Sequence, residues 1–324
     1  LWTEFEFQRC RPRRPLCQLL GEYDLIQVVA GAPGIAASVA PVNRPKCLFV
    51  ATTLCQERAS ALALRRGPLR LWLWLMTHVG SGIETKALAG MDHVFAESLY
   101  TRALLAKAVP EHKLSIAPPG IDTALFYPDS GASRRDYILS VGRWDDPRKN
   151  VRLLLGAYRA LVSALPQAPR LVLVGQHGPP DKEWALASEW GIADRIEVKR
   201  KVTDRELAEL YRRACLFVLP SNEEGLGIVI LEAMASGLPV IATDAEGVSD
   251  IFASALDFGR MVARGNTQAL AQAMLELYRK PPGARSAMGC AAKLRVKQAF
   301  THERMVQQTV GLYRQHLSRV KTTP

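Results

Sequence analysis

Cysteine is scarce in this chain, and the six present follow no pattern. Cys10, Cys17, Cys47, Cys55, Cys215 and Cys290 form no C-x-x-C pair and no tight, even framework. That argues against a zinc site or a disulfide scaffold, and for free thiols in a reducing compartment. Long apolar runs are also lacking: none approaches the ~20 residues of a membrane-spanning helix, and no basic-then-apolar leader opens the chain. The expectation is a cytoplasmic protein. Long basic runs and nucleic-acid motifs are absent too, although the net charge is +11. Sixteen Lys/Arg stand against twelve Asp/Glu in residues 1–137, and twenty-six against nineteen in 138–324. So diffuse an excess fits an anionic small molecule or surface better than a nucleic acid, and no nucleic-acid partner is expected.

What the 324 residues do contain is a soluble, two-domain composition, 48% hydrophobic and 23% charged. Short apolar strands alternate with helical segments. In the first half, Asp24–Ala30 ends in a Gly31–Gly34 turn, Cys47–Leu54 forms a second strand, and His93–Ala96 and Leu114–Ala117 two more. In the second half, strands are expected at Tyr137–Val141, Arg170–Gly175, Ile196–Val202, Leu216–Pro220 and Pro239–Thr243. Helices are expected at Asn150–Leu165, Asp204–Ala214 and Gly225–Ser236, the last stopped by Gly237. This is an α/β pattern of two doubly wound, Rossmann-like domains facing a cleft, with ligands at the carboxyl ends of strands. The breaker-rich stretch 118–136 places the first domain at 1–136 and the second at 137–305, with a final helix over 306–324. The chain starts at Leu1 with neither a methionine nor a first strand and glycine loop, which leads to the expectation that its first domain lacks its start.

Two constellations carry chemistry. In Pro220-Ser221-Asn222-Glu223-Glu224-Gly225-Leu226-Gly227-Ile228, continuing through Glu232, a strand runs into a glycine turn and then a helix. The glycines let backbone approach a ligand, and the free N–H groups from Leu226 to Ile228 suit a phosphate. Glu232 lies about two turns on, of order 10 Å away at ~1.5 Å per residue, where a carboxylate can accept from vicinal ribose hydroxyls. The second constellation, Ser140-Val141-Gly142-Arg143-Trp144-Asp145-Asp146-Pro147-Arg148-Lys149-Asn150, also sits at a strand end. Gly142 permits the turn, and Arg143 and Lys149 can converge on a diphosphate. The bland alternatives are a structural helix with incidental acids and a solvated basic loop.

The G-R-x-D-x-P-R-K-N loop, the strand ending at Gly175 and the P-S-x-x-E-G-x-G-x-x-x-x-E-A-M-A-x-G-x-P-V-I-A run together resemble glycosyltransferase family 4. Asp92–Ser98 and Pro118–Asp122 resemble the family's first-half segments more loosely. The resemblance implies the GT-B fold and retaining, metal-independent transfer of a hexose from a UDP- or GDP-sugar to a glycan or lipid-linked acceptor, with no cofactor. It assigns Arg143 and Lys149 to the donor diphosphate, Glu224 with Gly225 and Leu226 to the transferred sugar, Glu232 to the ribose and Val202 to the vicinity of the base. Catalysis would rest on Glu224, Arg143 and Lys149; Gly142, Val202, Gly225, Leu226, Gly227, Ile228 and Glu232 would complete the donor site. Lys201 stands where the family usually has glycine, and His78 and His93 are acceptor-side candidates by location only. The remaining alternatives are an epimerase or phosphorylase on the same fold, an inactive nucleotide-sugar-binding fragment, and a basic nucleic-acid-binding protein. Arg65–Met76, with Trp72 and Trp74, is expected as a buried element, with peripheral contact to an anionic membrane as the other reading.

Overall fold

The structure, a computed structural model, describes residues 6–128, 137–252 and 257–321. The chain divides into two compact units, Leu1–Pro118 with Met305–Pro324, and Pro119–Arg304. Residues 119–128, assigned to the first domain from sequence, thus fall in the second unit, where the Ile121 N–H donates to the Phe300 carbonyl at 2.8 Å. The rest of the expected linker, 129–136, lies outside the described residues, as do 322–324 at the end of the expected final helix.

The first unit is built on four parallel strands in chain order: β1 (Ile26–Ala30), β2 (Lys46–Val50), β3 (His93–Ala96) and β4 (Leu114–Ile116). Leu48, Val50, Val94 and Ala96 pack with Ala36, Val39, Leu88 and Met91 on one side of the sheet. Cys47, Phe95 and Ala117 form a smaller cluster with Leu312 and Tyr313 of the helix His302–Lys321. The Tyr313 hydroxyl donates to Gln27 Oε1 at 2.6 Å, so the helix is tied to β1 as well as packed. The second strand stops at Val50 rather than Leu54. Ala51 and Thr52 turn to donate to the Gly31 carbonyl, and Thr53 caps a helix over Leu54–Leu64. Arg65–Met76 is not buried as expected: it leads into and begins the helix Gly67–Ala89, with Leu71, Trp72, Trp74 and Leu75 exposed.

The second unit carries six parallel strands, β5 (Tyr137–Val141), β6 (Arg170–Gly175), β7 (Ile196–Arg200), β8 (Leu216–Leu219), β9 (Val240–Thr243) and β10 (Gly259–Val262). Their order is β10-β9-β8-β5-β6-β7. From β5 the chain adds β6 and β7 on one side, then returns to add β8, β9 and β10 on the other. The order reverses between β5 and β8, the switch point outside which doubly wound sheets bind ligands. Strict alternation feeds both faces: Leu139, Val141, Phe217 and Leu219 enter one core cluster, and Ile138, Leu171, Leu216 and Val218 the other. Two ends differ from expectation for a backbone reason. β7 stops at Arg200 because Lys201 adopts φ 52°, and the helix expected from Gly225 starts at Ile228 because Gly227 adopts φ 95°.

The helix Val151–Ala164 begins at Asn150, itself at φ 44°, whose side-chain oxygen accepts from the Leu153 N–H at 3.2 Å. Asparagine tolerates this conformation and caps at once. Asn150→Ala should therefore cost about 1–2 kcal/mol and Asn150→Gly only a few tenths, read as shifts in the urea unfolding midpoint. Equal losses for the two would show that the cap does not set this helix start.

Candidate functional site

Both constellations emerge at the switch point, the loop 142–150 from β5 and the loop 220–227 from β8. They are stitched together. The Asn222 N–H donates to the Arg148 carbonyl at 2.7 Å, and Asn150 Nδ2 donates to Asn222 Oδ1 at 2.9 Å. Trp144, buried, donates its indole N–H to the Val174 carbonyl at 3.0 Å, which Gly142 N–H also reaches at 3.0 Å. The first loop is thereby pinned to the end of β6.

At the junction, Lys149 Nζ donates to Glu224 Oε1 at 2.6 Å, and the Ser221 hydroxyl donates to the same oxygen at 2.6 Å. Side-chain exposure is 16% for Lys149 and 9% for Glu224, so the pair is largely withdrawn from water. Arg143 does not join it: its side chain is 64% exposed and pairs with Asp146 Oδ2 at 3.2 Å. Burial pushes the Asp146 carboxyl up, but the fork of hydrogen bonds from Arg148 and the charges of Arg148 and Arg143 outweigh it and leave the group below its ordinary value.

The turn that carries Glu224 is supported from behind. The Gly247 N–H donates to the Glu224 carbonyl at 3.2 Å, and a Cβ on Gly247 would stand 1.9 Å from the Gly225 carbonyl oxygen, so only glycine fits there. Thr243 Oγ1 donates to the Ser221 carbonyl. Arg264 pairs with Glu246 and donates to the Asn222 carbonyl at 3.1 Å. Leu226 is buried, Gly227 forms the left-handed start of the helix Ile228–Ala235, and Ile228 is exposed. The first N–H groups of that helix, at Ile228 and Val229, have no intrahelical acceptor.

Glu232 lies on the same helix, and its Oε2 accepts from the Tyr211 hydroxyl at 2.8 Å. Burial raises its pKa to about 7, against the lowering effect of the Tyr211 hydrogen bond and with a further push from Asp204. Tyr211, fully buried beside this carboxyl, is itself raised well above its ordinary value by burial and by Glu232.

Val202 packs partly buried against the core and borders a cavity of about 640 Å³. That cavity runs along β7 from Glu197 and reaches Tyr137 and Arg170 at the amino ends of β5 and β6, away from the Glu224 turn. Lys201, where a glycine is usual in the resembled family, holds a left-handed backbone conformation without one. His93 is buried in the first unit, its Nε2 sharing a 2.9 Å hydrogen bond with Ser115 Oγ, while His78 is exposed and stacked on Trp74. Sequence reasoning quoted Ser221, Asn222 and Asn150 without assigning them roles, and it missed Tyr211, Arg264 and Gly247. Tyr211 had left a signal, since it lies one helical turn beyond Ala208 on the buried face of Asp204–Arg213.

Among the described residues no group of three His, Cys, Asp or Glu could hold a metal ion, and no helix is long and apolar enough to cross a membrane. None of the six cysteines forms a disulfide.

Two separate, fully parallel α/β sheets with a switch-point site define the fold class, α/β of the GT-B type. A sucrose-phosphate synthase from Thermosynechococcus elongatus superposes with a TM-score of 0.76 over 95% of this chain and 81% of its own, at 24% identity. HepE of Anabaena, in complex with UDP, gives a TM-score of 0.75 over 93% and 81%, at 18% identity. Residues 135–280 match the model of the family described as glycosyl transferases group 1. A GDP-mannose-dependent alpha-(1-6)-phosphatidylinositol monomannoside mannosyltransferase of Mycolicibacterium smegmatis is 30% identical over 299 residues, 85% of this chain and 73% of that protein. The chain belongs to the group 1 glycosyltransferase family. An MMP alpha-(1->4)-mannosyltransferase of Mycolicibacterium hassiacum is 30% identical over 214 residues, 66% of this chain and 51% of the relative. The chain spans about half the length of this and several other curated relatives that it matches.

The raised Glu232 carboxyl sets a pH dependence. Unfolded, it gives up its proton near 4.5; folded, it keeps it until about 7. Its contribution to stability is fully present below pH ~4.5 and is lost as pH rises through ~7, amounting to ~3 kcal/mol at most. Thermal unfolding of Glu232→Gln across this window should show a flatter pH profile than the parent. Parallel profiles would mean that Glu232 titrates as an ordinary surface acid.

Proposed function

We propose that this protein transfers a hexose from a UDP- or GDP-sugar to a glycan or lipid-linked acceptor with retention of anomeric configuration. The observation that carries this reading is the Lys149–Ser221–Glu224 cluster at the β5/β8 switch point, next to the amino end of a helix that bears Glu232. The mannosyltransferase of M. smegmatis, GDP-mannose-dependent by name, and the UDP complex of HepE support a nucleotide-sugar donor.

In this reading Glu224 works through its two oxygens separately. Oε1 is held by Lys149 and Ser221, and Oε2 accepts hydroxyls of the transferred sugar. The diphosphate lies between Lys149, the exposed Arg143 and the first N–H groups of the helix from Ile228, with Gly142, Gly225, Leu226 and Gly227 supplying close backbone. These donors stabilise negative charge on the departing nucleoside diphosphate, the role a cation fills elsewhere, so no metal or cofactor is required. Glu232, oriented by Tyr211, accepts the ribose hydroxyls, and Val202 borders the base.

Nucleotide release from a panel of UDP- and GDP-sugars, with and without lipid and glycan acceptors, tests the activity. It is expected to survive EDTA; loss in chelator restored by Mg²⁺ or Mn²⁺ would overturn the metal-independent assignment. Arg143→Ala, at an exposed position, should weaken UDP or GDP binding in titration calorimetry at an unchanged melting temperature. Lys149→Ala should lower both, because it strips a withdrawn carboxylate of its cation.

The two glutamates divide by role. Positive charge develops at the anomeric carbon beside Glu224, so Glu224→Gln should lower kcat strongly and leave donor KM within about a few-fold. Glu232 touches groups that do not change in the reaction, and Glu232→Gln should raise donor KM with a smaller effect on kcat. Steady-state kinetics at saturating acceptor measure both, and the same response from the two variants would defeat the division.

A further inference from the structure

The helix Gly67–Ala89 is apolar on the side where a surface helix should be polar. At ~100° per residue, an outward arc of about 160° holds the exposed His78, stacked on Trp74, and otherwise Leu71, Trp72, Trp74, Leu75 and Val79. These last five are exposed at 66%, 52%, 51%, 46% and 45%. The inner arc is already committed: Met76, Gly80, Ile83 and Glu84 line a cavity of about 400 Å³ with Gly31 and Gly34, and Thr77 is buried. Further along the outward arc stand Gly82, Thr85 and Lys86, so the apolar face is confined to the first four turns of the helix.

The charges around this face have one sign. From Arg58 to Ile83 there is no Asp or Glu, and Arg65, Arg66 and Arg70, all exposed, surround its amino end. Two amphipathic tryptophans beside a ring of arginines match the chemistry of a lipid interface, where indole lies at headgroup level and guanidinium meets lipid phosphate. A second copy of the chain would set arginines against arginines with no acid between them. This helix is not apolar enough to span a membrane.

We infer that the outward face of residues 64–79 seats on an anionic phospholipid bilayer, with Trp72, Trp74, Leu71 and Leu75 in the interface and Arg65, Arg66 and Arg70 on the headgroups. The inference is independent of the donor-site reading, since none of these residues belongs to the second unit.

Sedimentation of the full chain with vesicles tests it. The probes are phosphatidylcholine alone and phosphatidylcholine mixed with phosphatidylglycerol. Binding should require phosphatidylglycerol and weaken with salt. Replacing Arg65, Arg66 and Arg70 with Gln should weaken it about a hundredfold, at about fivefold for each arginine near such a surface. Trp72→Ser with Trp74→Ser should weaken it about tenfold or more and abolish a blue shift of tryptophan emission on vesicle addition. Both variants should keep the parent's melting temperature and nucleotide affinity, as the substituted side chains are exposed. Three results would overturn the inference: equal binding to both vesicle types, undiminished binding of the tryptophan variant, or a concentration-dependent dimer that the tryptophan variant disperses.

Discussion

One carboxylate oxygen, Glu224 Oε1, takes both a lysine ammonium and a serine hydroxyl at 2.6 Å. Much of the second unit follows from having to bring those groups there. Lys149 comes from the loop after β5 and Ser221 and Glu224 from the loop after β8, so the two strands must be neighbours although two strands and three α-helices separate them in sequence. A carboxylate this far from water is tolerated only with its partners in place. Strand order, the 142–150 turn and the Gly247 contact therefore answer to one electrostatic requirement.

That requirement also separates the two glutamates physically. Glu224 is compensated by a full positive charge, whereas Glu232, less than three turns down the helix, meets only the neutral hydroxyl of Tyr211 and the distant push of Asp204. The same residue type thus sits in two electrostatic environments on one segment. In one the carboxyl is held by a lysine and a serine, and in the other burial raises the carboxyl's pKa to about 7.

Much of this was legible in the sequence because it is local. Every strand expected in the second unit forms, and the mostly apolar runs of β5, β6, β8 and β9 admit little else in a parallel sheet. The charged loops were legible for the same reason, each following its strand directly. What was not legible depends on contacts distant in sequence: Tyr211 under Glu232, Asn150 against Asn222, and Arg264 behind both. The strand ends at Lys201 and the helix start at Ile228 were misplaced because a single left-handed residue, invisible to periodicity, decides each. The tryptophan helix was misread as buried because apolar composition alone cannot say which side of a surface covers it.

The hydrogen bonds that close the loops at the switch point run between backbone atoms of the protein itself: Asn222 to Arg148, Gly247 to Glu224, Gly142 to Val174. Each fixes a main-chain amide in a segment that would otherwise sample many conformations. The ordering entropy of these loops is thus met when the chain folds and not when a ligand arrives, which leaves more of the interaction energy for binding. Their amides should exchange with solvent deuterium on the slow timescale of the surrounding sheet rather than that of surface turns.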